Sequence, residues 1–344
     1  MIATPETSPR PSSPFRLLTG CPRSGTSLLA SELMRRYDIA IPFETHFIPV
    51  FHRWRWLYGD LSRRQNRGAL LADVYRFTRI WLVASKTFDL EMITRASVLS
   101  TEDQATDIVA ESHDFSSLMH TLFAAFARQQ GAGSYADKSS FFAPVHPARL
   151  AAALGPVKVV AVVRDGRDVF LSSARTWFGT VNPVQAARLW ARHIALHDAW
   201  ADIDKASVFT LRYEDLVNNP AEQLAAVAGF LELAPRQIPK TPLLAKAMAS
   251  APEHARLSET VGSASVNRNR REMAAWQRDA FAYFAGDAQR RYGYSTPGPT
   301  PRLTARMAMS FLSGLTPDPA RLAKSALPMI FACGGRAFLG RSSR

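Results

Sequence analysis

The residues best equipped for chemistry form the octet Gly20-Cys21-Pro22-Arg23-Ser24-Gly25-Thr26-Ser27. Its two glycines let the backbone turn sharply and approach a ligand closely. Loop amides and the N-terminus of a following helix then aim their donors at one point, which makes an anion site. Arg23 projects a cation from the loop, and Thr26 and Ser27 add hydroxyl donors. The spacing is that of G-x-x-x-x-G-K-[ST], except that Thr26 stands where that motif places the lysine that reaches the terminal phosphates of ATP. A generic glycine-bearing turn is the plain alternative. A second cationic point is Arg164-Asp165-Gly166-Arg167-Asp168, followed by Ser172 and Ser173. The Arg164 guanidinium offers a two-pronged fork to a phosphate, and Ser172 offers one more donor. A ligand with anionic groups at two separated points would span both. The cation comes before the acid at this strand exit, which, with the missing lysine, argues against a Mg-ATP enzyme.

Both groups need a scaffold that brings them to one edge. Apolar runs at 15–19, 157–163 and 207–213 read as buried strands. Helical periodicity fills 60–130, where Leu70, Leu71, Val74 and Phe77 recur, and continues at 184–203 and 221–232. Pro220 suits the first turn of that last helix, and Asn219 suits its cap. The alternation predicts one α/β domain over about 15–295, a central parallel sheet flanked by helices; the octet at the exit of the first strand makes this resemble a P-loop-containing nucleotide-hydrolase-like fold. Parallel strands share their C-terminal edge, so the octet and Arg164 face the same crevice.

Composition sets the outer bounds. The 344 residues carry 42 Lys+Arg against 29 Asp+Glu, a formal net charge of +13, with 47% hydrophobic residues. That excludes wholesale disorder. Two cysteines, Cys21 and Cys333, cannot make a secreted disulfide framework. The start, MIATPETSPRPSSP, has neither a basic n-region nor an apolar stretch; residues 1–14 read as a disordered tail, not as a signal peptide. No run of 18 uncharged apolar residues argues for a spanning helix. Basic charge could serve nucleic acid, yet no zinc-finger spacing, RNA-binding signature or basic zipper accompanies it, so no nucleic-acid partner is expected. Residues 296–344 form a basic, proline-punctuated extension carrying +6 from Thr300 onward. Its two apolar-basic segments, 303–315 and 320–339, suit peripheral contact with a membrane or docking on the chain's own domain.

At these residues the chain resembles the PAPS-dependent sulfotransferases, over roughly 15–295. Gly20–Ser27 is similar to the family's loop for the 5′-phosphosulfate. Val162–Asp168 with Ser172 is similar to its 3′-phosphate block, with Arg164 and Ser172 at the contacting positions. Leu211-Arg212-Tyr213-Glu214-Asp215-Leu216 is a third matching stretch. The resemblance implies PAPS as sulfuryl donor, PAP as product and no metal. It assigns Cys21, Pro22, Arg23, Ser24, Gly25, Thr26, Ser27, Arg164, Ser172 and Tyr213 to the nucleotide, Tyr213 alternatively filling the core. Arg23 replaces the lysine of the cytosolic members, which is closer to the bacterial and tyrosylprotein branches. Ile41-Pro42-Phe43-Glu44-Thr45-His46-Phe47-Ile48-Pro49 is similar to the segment that supplies a glutamate base in tyrosylprotein and heparan sulfotransferases. Glu44 is the matching position, with His46 as orienting group or rival base. Ala136-Asp137-Lys138-Ser139-Ser140-Phe141 resembles the family's acidic-Lys-Thr-Pro segment, which would put Lys138 near the transferring group; a solvated lysine is the alternative. Arg268, Arg270 and Arg271 fall where the family closes a loop over the 3′-phosphate. The expected acceptor is a hydroxyl or amine on a small molecule, carbohydrate, lipid or peptide, and the expected location is cytoplasmic, with the inner membrane face open to the extension.

Two other patterns take bland readings. His193 and His197 are four apart on one helix, but two such ligands without a third rarely hold a metal. Trp54 and Trp56 are read as helix packing before an acceptor groove. The rival functions are a P-loop kinase of a small metabolite, which Mg-dependent ATP turnover would reveal, and a non-catalytic membrane-associated anion-binding protein.

Overall fold

The computed structural model describes residues 13–84, 89–139, 145–176, 179–239, 241–249, 265–294 and 301–313. β1 (Phe15–Gly20) runs through the glycine loop into α1 (Thr26–Arg36), and β2 (Ile39–Ala40) follows. Next come α2 (Phe47–Trp54), α3 (Arg64–Ala84), α4 (Leu90–Arg95), α5 (Ala105–Glu111) and α6 (Phe115–Gln129). β3 (Ser134–Tyr135), β4 (Asp137–Lys138), α7 (Pro147–Leu154) and β5 (Val157–Val163) return the chain to the sheet. Then follow α8 (Gly166–Ser173), α9 (Pro183–Asp198), β6 (Ala206–Arg212), α10 (Tyr213–Asn218), α11 (Pro220–Leu231) and α12 (Leu243–Ala249). The described chain ends with α13 (Asn269–Glu272), α14 (Ala275–Arg291) and α15 (Ala305–Ser313).

The central sheet has the order β4-β1-β5-β6, and every neighbouring pair is parallel. β5 lies inside it with six of its seven residues buried, which is why it reads as an unbroken valine run. The register places Leu18 beside Lys138, Gly20 beside Val162 and Val163 beside Arg212. All four strands therefore reach the same edge, and the residues that follow them are the glycine loop, Ser139, Arg164 and Tyr213. The larger core joins the sheet to α1–α7 and α11. A second core, between α8, α9 and α14, includes Cys21 and Val163 and so backs the loop and the Arg164 turn from below.

The three expected strands and the helix at 220–231 form as read, with three differences. Tyr213 opens α10 instead of closing β6, and its ring covers Gly25 at the sheet edge. Asn219 makes no side-chain cap, so Pro220 alone marks that start. β4 gave no strand signal because its two residues, though buried, are Asp and Lys. Further along, α15 packs on α9 and α14 through Met307, which is buried with Val184 and Ala280. Residues 1–12 of the expected tail and 296–300 and 314–344 of the extension lie outside the described residues.

Candidate active site

The loop folds as its glycines require. A Cβ on Gly20 would sit 2.4 Å from Ser24 Oγ and 2.8 Å from the Val162 carbonyl oxygen, so the loop closes over bare backbone. Gly25 has φ of 103° and lies under the Tyr213 ring, whose Cδ2 would be 2.4 Å from an added Cβ. Arg23 also takes a left-handed φ of 74°, an unfavourable state for a residue with a side chain. That turn lets Arg23 Nε donate to Ser172 Oγ at 3.2 Å, across from α8. Helix α1 starts at Thr26 with no acidic residue in its first turn, leaving its amide dipoles uncompensated by a carboxylate there. Cys21 is buried, which pushes its thiol up to about 12, so it stays neutral.

Arg164 leaves β5 directly beside this loop. Its Nη1 donates to the Arg23 carbonyl at 3.1 Å and its Nη2 to the Ser265 carbonyl at 2.8 Å. The guanidinium lies over the Tyr213 ring, 4.3 Å from its centroid, so one aromatic plate supports both Gly25 and Arg164. Its described partners are carbonyl dipoles and a π-face, none of them a carboxylate, and its buried Nε has no partner. The nearby acids are otherwise engaged: Asp165 pairs with Arg167 at 2.7 Å, and Asp168 accepts from the Asn269 amide at 2.7 Å. Positive charge thus remains beside the glycine loop.

The opposite wall is built from the turn before α2 and from β4. Lys138 is 0% exposed, and its Nζ donates to Glu44 Oε1 at 2.6 Å and to Ser27 Oγ at 3.1 Å. Lys138 thus brings an ammonium from β4 to the end of the loop. Glu44 Oε2 also lies 3.0 Å from His46 Nε2. Burial works against the Glu44 charge, but the Lys138 ammonium and the His46 hydrogen bond outweigh it and hold the carboxyl well below the usual range. His46 adopts a left-handed φ of 48° and packs edge-on against Trp81, 4.8 Å between centroids. Behind the pair, Thr45 Oγ1 donates to Asp137 Oδ1 at 3.0 Å.

A family model described as the sulfotransferase family matches residues 16–237. The chain belongs to the sulfotransferase family. Among solved structures it is similar to the sulfotransferase domain of an olefin synthase from Synechococcus PCC 7002, with 18% identity and a TM-score of 0.51, over 83% of this chain and 96% of that one. It also matches the sulfotransferase domain from the curacin biosynthetic pathway (18% identity, TM-score 0.43, 87% and 97% covered). A sulfotransferase from Alicyclobacillus acidocaldarius matches at 17% identity and TM-score 0.37, with 72% and 94% covered. The first of these likenesses shows the fold, the P-loop-like sheet expected from the sequence. A search of curated protein sequences finds no match.

Within this sulfotransferase the remaining expected residues take varied places. Lys138 is not the solvated lysine of the alternative reading, because β4 carries it inside. Ser140 and Phe141, which follow it, lie outside the described residues. Arg268 is turned to Glu272, with its Nε donating at 2.8 Å, and Asn269 at the start of α13 bonds Asp168 and Asp165 of the Arg164 turn. Sequence reasoning passed over Asn269, Thr45 and Asp137; a polar residue next to a motif position was the available signal. Trp56 is 65% exposed, so it is not the packing residue expected, and Trp54 leans on it and on Arg53. His193 and His197 are buried in α9, and burial pushes them down to about 3 and about 4.

Proposed function

We propose that this sulfotransferase moves the sulfuryl group of PAPS to a hydroxyl or amine of its acceptor and releases PAP. The observation that carries this reading is that Arg164 Nη1 donates to the Arg23 carbonyl, which sets the Arg164 guanidinium against the glycine loop on one sheet edge. The residues present fit a doubly phosphorylated nucleotide: Ser24 Oγ and Arg164 Nε are buried polar atoms without partners, and a helix N-terminus adjoins them. In this reading the loop from Cys21 to Ser27 grips the 5′-phosphosulfate, with Arg23 steadying the charge that gathers on the leaving phosphate oxygen. Arg164 and Ser172 hold the 3′-phosphate, and Tyr213 supports them.

Glu44 is the proposed base. It takes the acceptor's proton as the acceptor oxygen or nitrogen attacks sulfur and the bond from sulfur to the phosphate oxygen breaks, the electron pair leaving with PAP. A positioned base of this kind is worth roughly 10²–10⁴-fold. Its depressed basicity has a physical sense: Lys138 bonds both Glu44 and loop residue Ser27, so a donor anion that draws Lys138 toward the loop frees Glu44 to accept a proton. Such a transfer relies on positioning and fixed charge and needs no covalent enzyme intermediate. The test is incubation with labelled PAPS and a cell extract, with mass spectrometry of the labelled product; a label that stays on PAPS in every fraction overturns the reading.

The acceptor is a small molecule, carbohydrate, lipid or peptide met in the cytoplasm or at the inner membrane face. Peripheral membrane contact is supported by α15, which exposes Met309 (70%) and Leu312 (61%), and by the +6 charge from Thr300 onward. No helix among the described residues is long and apolar enough to cross a membrane. Co-sedimentation with vesicles containing anionic lipid, lost in Met309→Ser/Leu312→Ser, tests this part.

A further inference from the structure

Asn269, at the start of α13, is 1% exposed, and the two carboxylates it meets, Asp168 and Asp165, are 1% and 5% exposed. Its backbone N–H donates to Asp168 Oδ1 at 2.7 Å. Its side-chain Nδ2 donates to the same Asp168 oxygen at 2.8 Å and to Asp165 Oδ2 at 3.3 Å. An amide nitrogen carries two hydrogens, so this one side chain serves both carboxylates at once. Four residues earlier, the Ser265 carbonyl accepts from Arg164 Nη2 at 2.8 Å. Residues 265–269 therefore run from the Arg164 guanidinium to the carboxylates of the turn that follows it in sequence.

We infer that Asn269 is a positioning residue for the nucleotide: it latches residues 265–269 to the turn after β5 and so sets the Ser265 carbonyl where it orients the Arg164 guanidinium toward the 3′-phosphate. A guanidinium has five N–H groups. Two of those on Arg164 go to the carbonyls of Arg23 and Ser265, and the Tyr213 ring supports its plane at 4.3 Å. Three N–H groups remain for an anion, the buried one on Nε among them. With the Ser265 carbonyl displaced, Nη2 loses its anchor and the fork is free to turn about the remaining bond to Arg23.

The turn itself is held by other groups. Trp190 Nε1 donates to the Arg164 carbonyl at 3.0 Å, Glu214 Oε1 accepts from the Asp165 N–H at 3.1 Å, and Asp165 caps α8 by accepting from the Arg167 N–H at 2.9 Å. The segment that carries Ser265 has no such frame of helices around its bend, which passes through Asn267 in the left-handed region at φ 59°. Such a conformation persists where its surroundings impose it, and the paired bonds of Asn269 to a charged acceptor lie two residues away. Loss of the Asn269 amide should therefore shift the Ser265 carbonyl and leave the turn in place.

The inference rests on the reading of Arg164 as the holder of the 3′-phosphate, so the test compares PAP with AMP, which lacks that phosphate, by calorimetry. Asn269→Ala should weaken PAP roughly tenfold, the low end for a lost hydrogen bond to a charged group, and leave AMP within about twofold. KM for labelled PAPS should rise in step while kcat at saturation holds. Asp168→Ala, which also removes the acceptor of the Asn269 backbone N–H, should lose at least as much. The double variant should lose no more than Asp168→Ala alone, because both changes break one contact. Asn269→Ser takes the place of Asn269→Ala if the latter does not fold. Unchanged PAP affinity, equal losses for PAP and AMP, or additive losses in the double variant each overturn the inference. Wild type that binds PAP no better than AMP instead removes the 3′-phosphate reading, and a ligand-free arm then judges the latch. Hydrogen exchange at 265–273 should speed up in Asn269→Ala while α8 keeps its protection. Equal exchange in the two proteins, or protection lost from both segments, overturns the latch.

Discussion

The two walls of the proposed site, the phosphate end around Arg164 and the acceptor end around Glu44, handle charge in opposite ways. At the phosphate end, Arg164 is satisfied by carbonyl oxygens and the Tyr213 face, and the nearby Asp165 and Asp168 are tied to Arg167 and Asn269. Its cation is solvated by dipoles but not neutralised, so an incoming anion meets a field already in place. At the acceptor end every charge has a counter-charge within reach: Lys138 against Glu44 at 2.6 Å, with His46 at 3.0 Å on the other oxygen. A site that must hold a permanent anion keeps net charge, whereas a site that must move a proton keeps a balanced pair that a ligand can unbalance. The comparison predicts that the two ends fail separately when mutated.

The largest failure should come at the acceptor end. Glu44→Gln keeps the volume and the acceptor oxygen for Lys138 but removes the basic site, and kcat for labelled PAPS should fall roughly 10²–10⁴-fold. PAP affinity by calorimetry should hold to within about twofold, since uniform binding is untouched. A parallel loss of PAP affinity would mean that the pair helps to hold the nucleotide, and the division between the walls would be wrong. Arg164→Ala should do the reverse. Hydrogen bonds to charged groups contribute about 1.5–3 kcal/mol, so PAP should bind roughly 10–100-fold more weakly, with a shallower dependence on salt and kcat at saturating PAPS nearly intact. Gly25→Ala sharpens the role of the plate between them. The new methyl meets the Tyr213 ring at a backbone angle of φ 103°, so strain and overpacking together should cost roughly 2–5 kcal/mol in thermal unfolding. Restoring stability by pairing it with Tyr213→Ala, while PAP affinity stays low, would show that the ring positions Arg164.

How legible each wall was in the sequence follows from the same contrast. The phosphate end could be read directly because its requirements are local: a loop that only glycine can turn at Gly25, a strand before it and a helix after it. Arg164 could be placed beside it because a parallel sheet fixes which strand ends share an edge. The acceptor end depends on side chains 94 positions apart in sequence meeting in space, Glu44 with Lys138, and no periodicity encodes such a meeting. β4 shows the limit most clearly. Pattern reading treats Asp and Lys as surface residues, so a buried two-residue polar strand gives the opposite of the usual signal. Resemblance pointed to Lys138 as a functional residue, but that it is sealed from water and shared between Glu44 and Ser27 is visible only in three dimensions.

The smallest expected effect separates the two walls by their tolerance of acid. His193 and His197 sit in α9, the helix whose Trp190 donates to the Arg164 carbonyl at 3.0 Å, and they help to form the support of the phosphate end. Burial lowers both, to about 3 and about 4, so each is neutral in the folded chain and takes up a proton more readily in the unfolded one. Their contribution is fully present above the unfolded value near 6.5 and is lost as pH falls from there toward 4. Glu44 is also depressed, so its contribution is fully present above 4.5, the ordinary value, and is lost as pH falls from there toward its lowered one. Between pH 6.5 and 4.5 acid should therefore weaken the fold through the histidines while the Glu44–Lys138 pair stays ionised. At pH 5 each histidine accounts for about 2 kcal/mol of that loss by linkage. Because His52, pushed down to about 4, and His120, also lowered by burial, act in the same direction, His197→Leu, which replaces a ring with no hydrogen-bond partner at either nitrogen, should remove only part of the decline in denaturant midpoint between pH 7 and pH 5. An unchanged decline in that variant would place the acid sensitivity elsewhere, and with it the weaker wall.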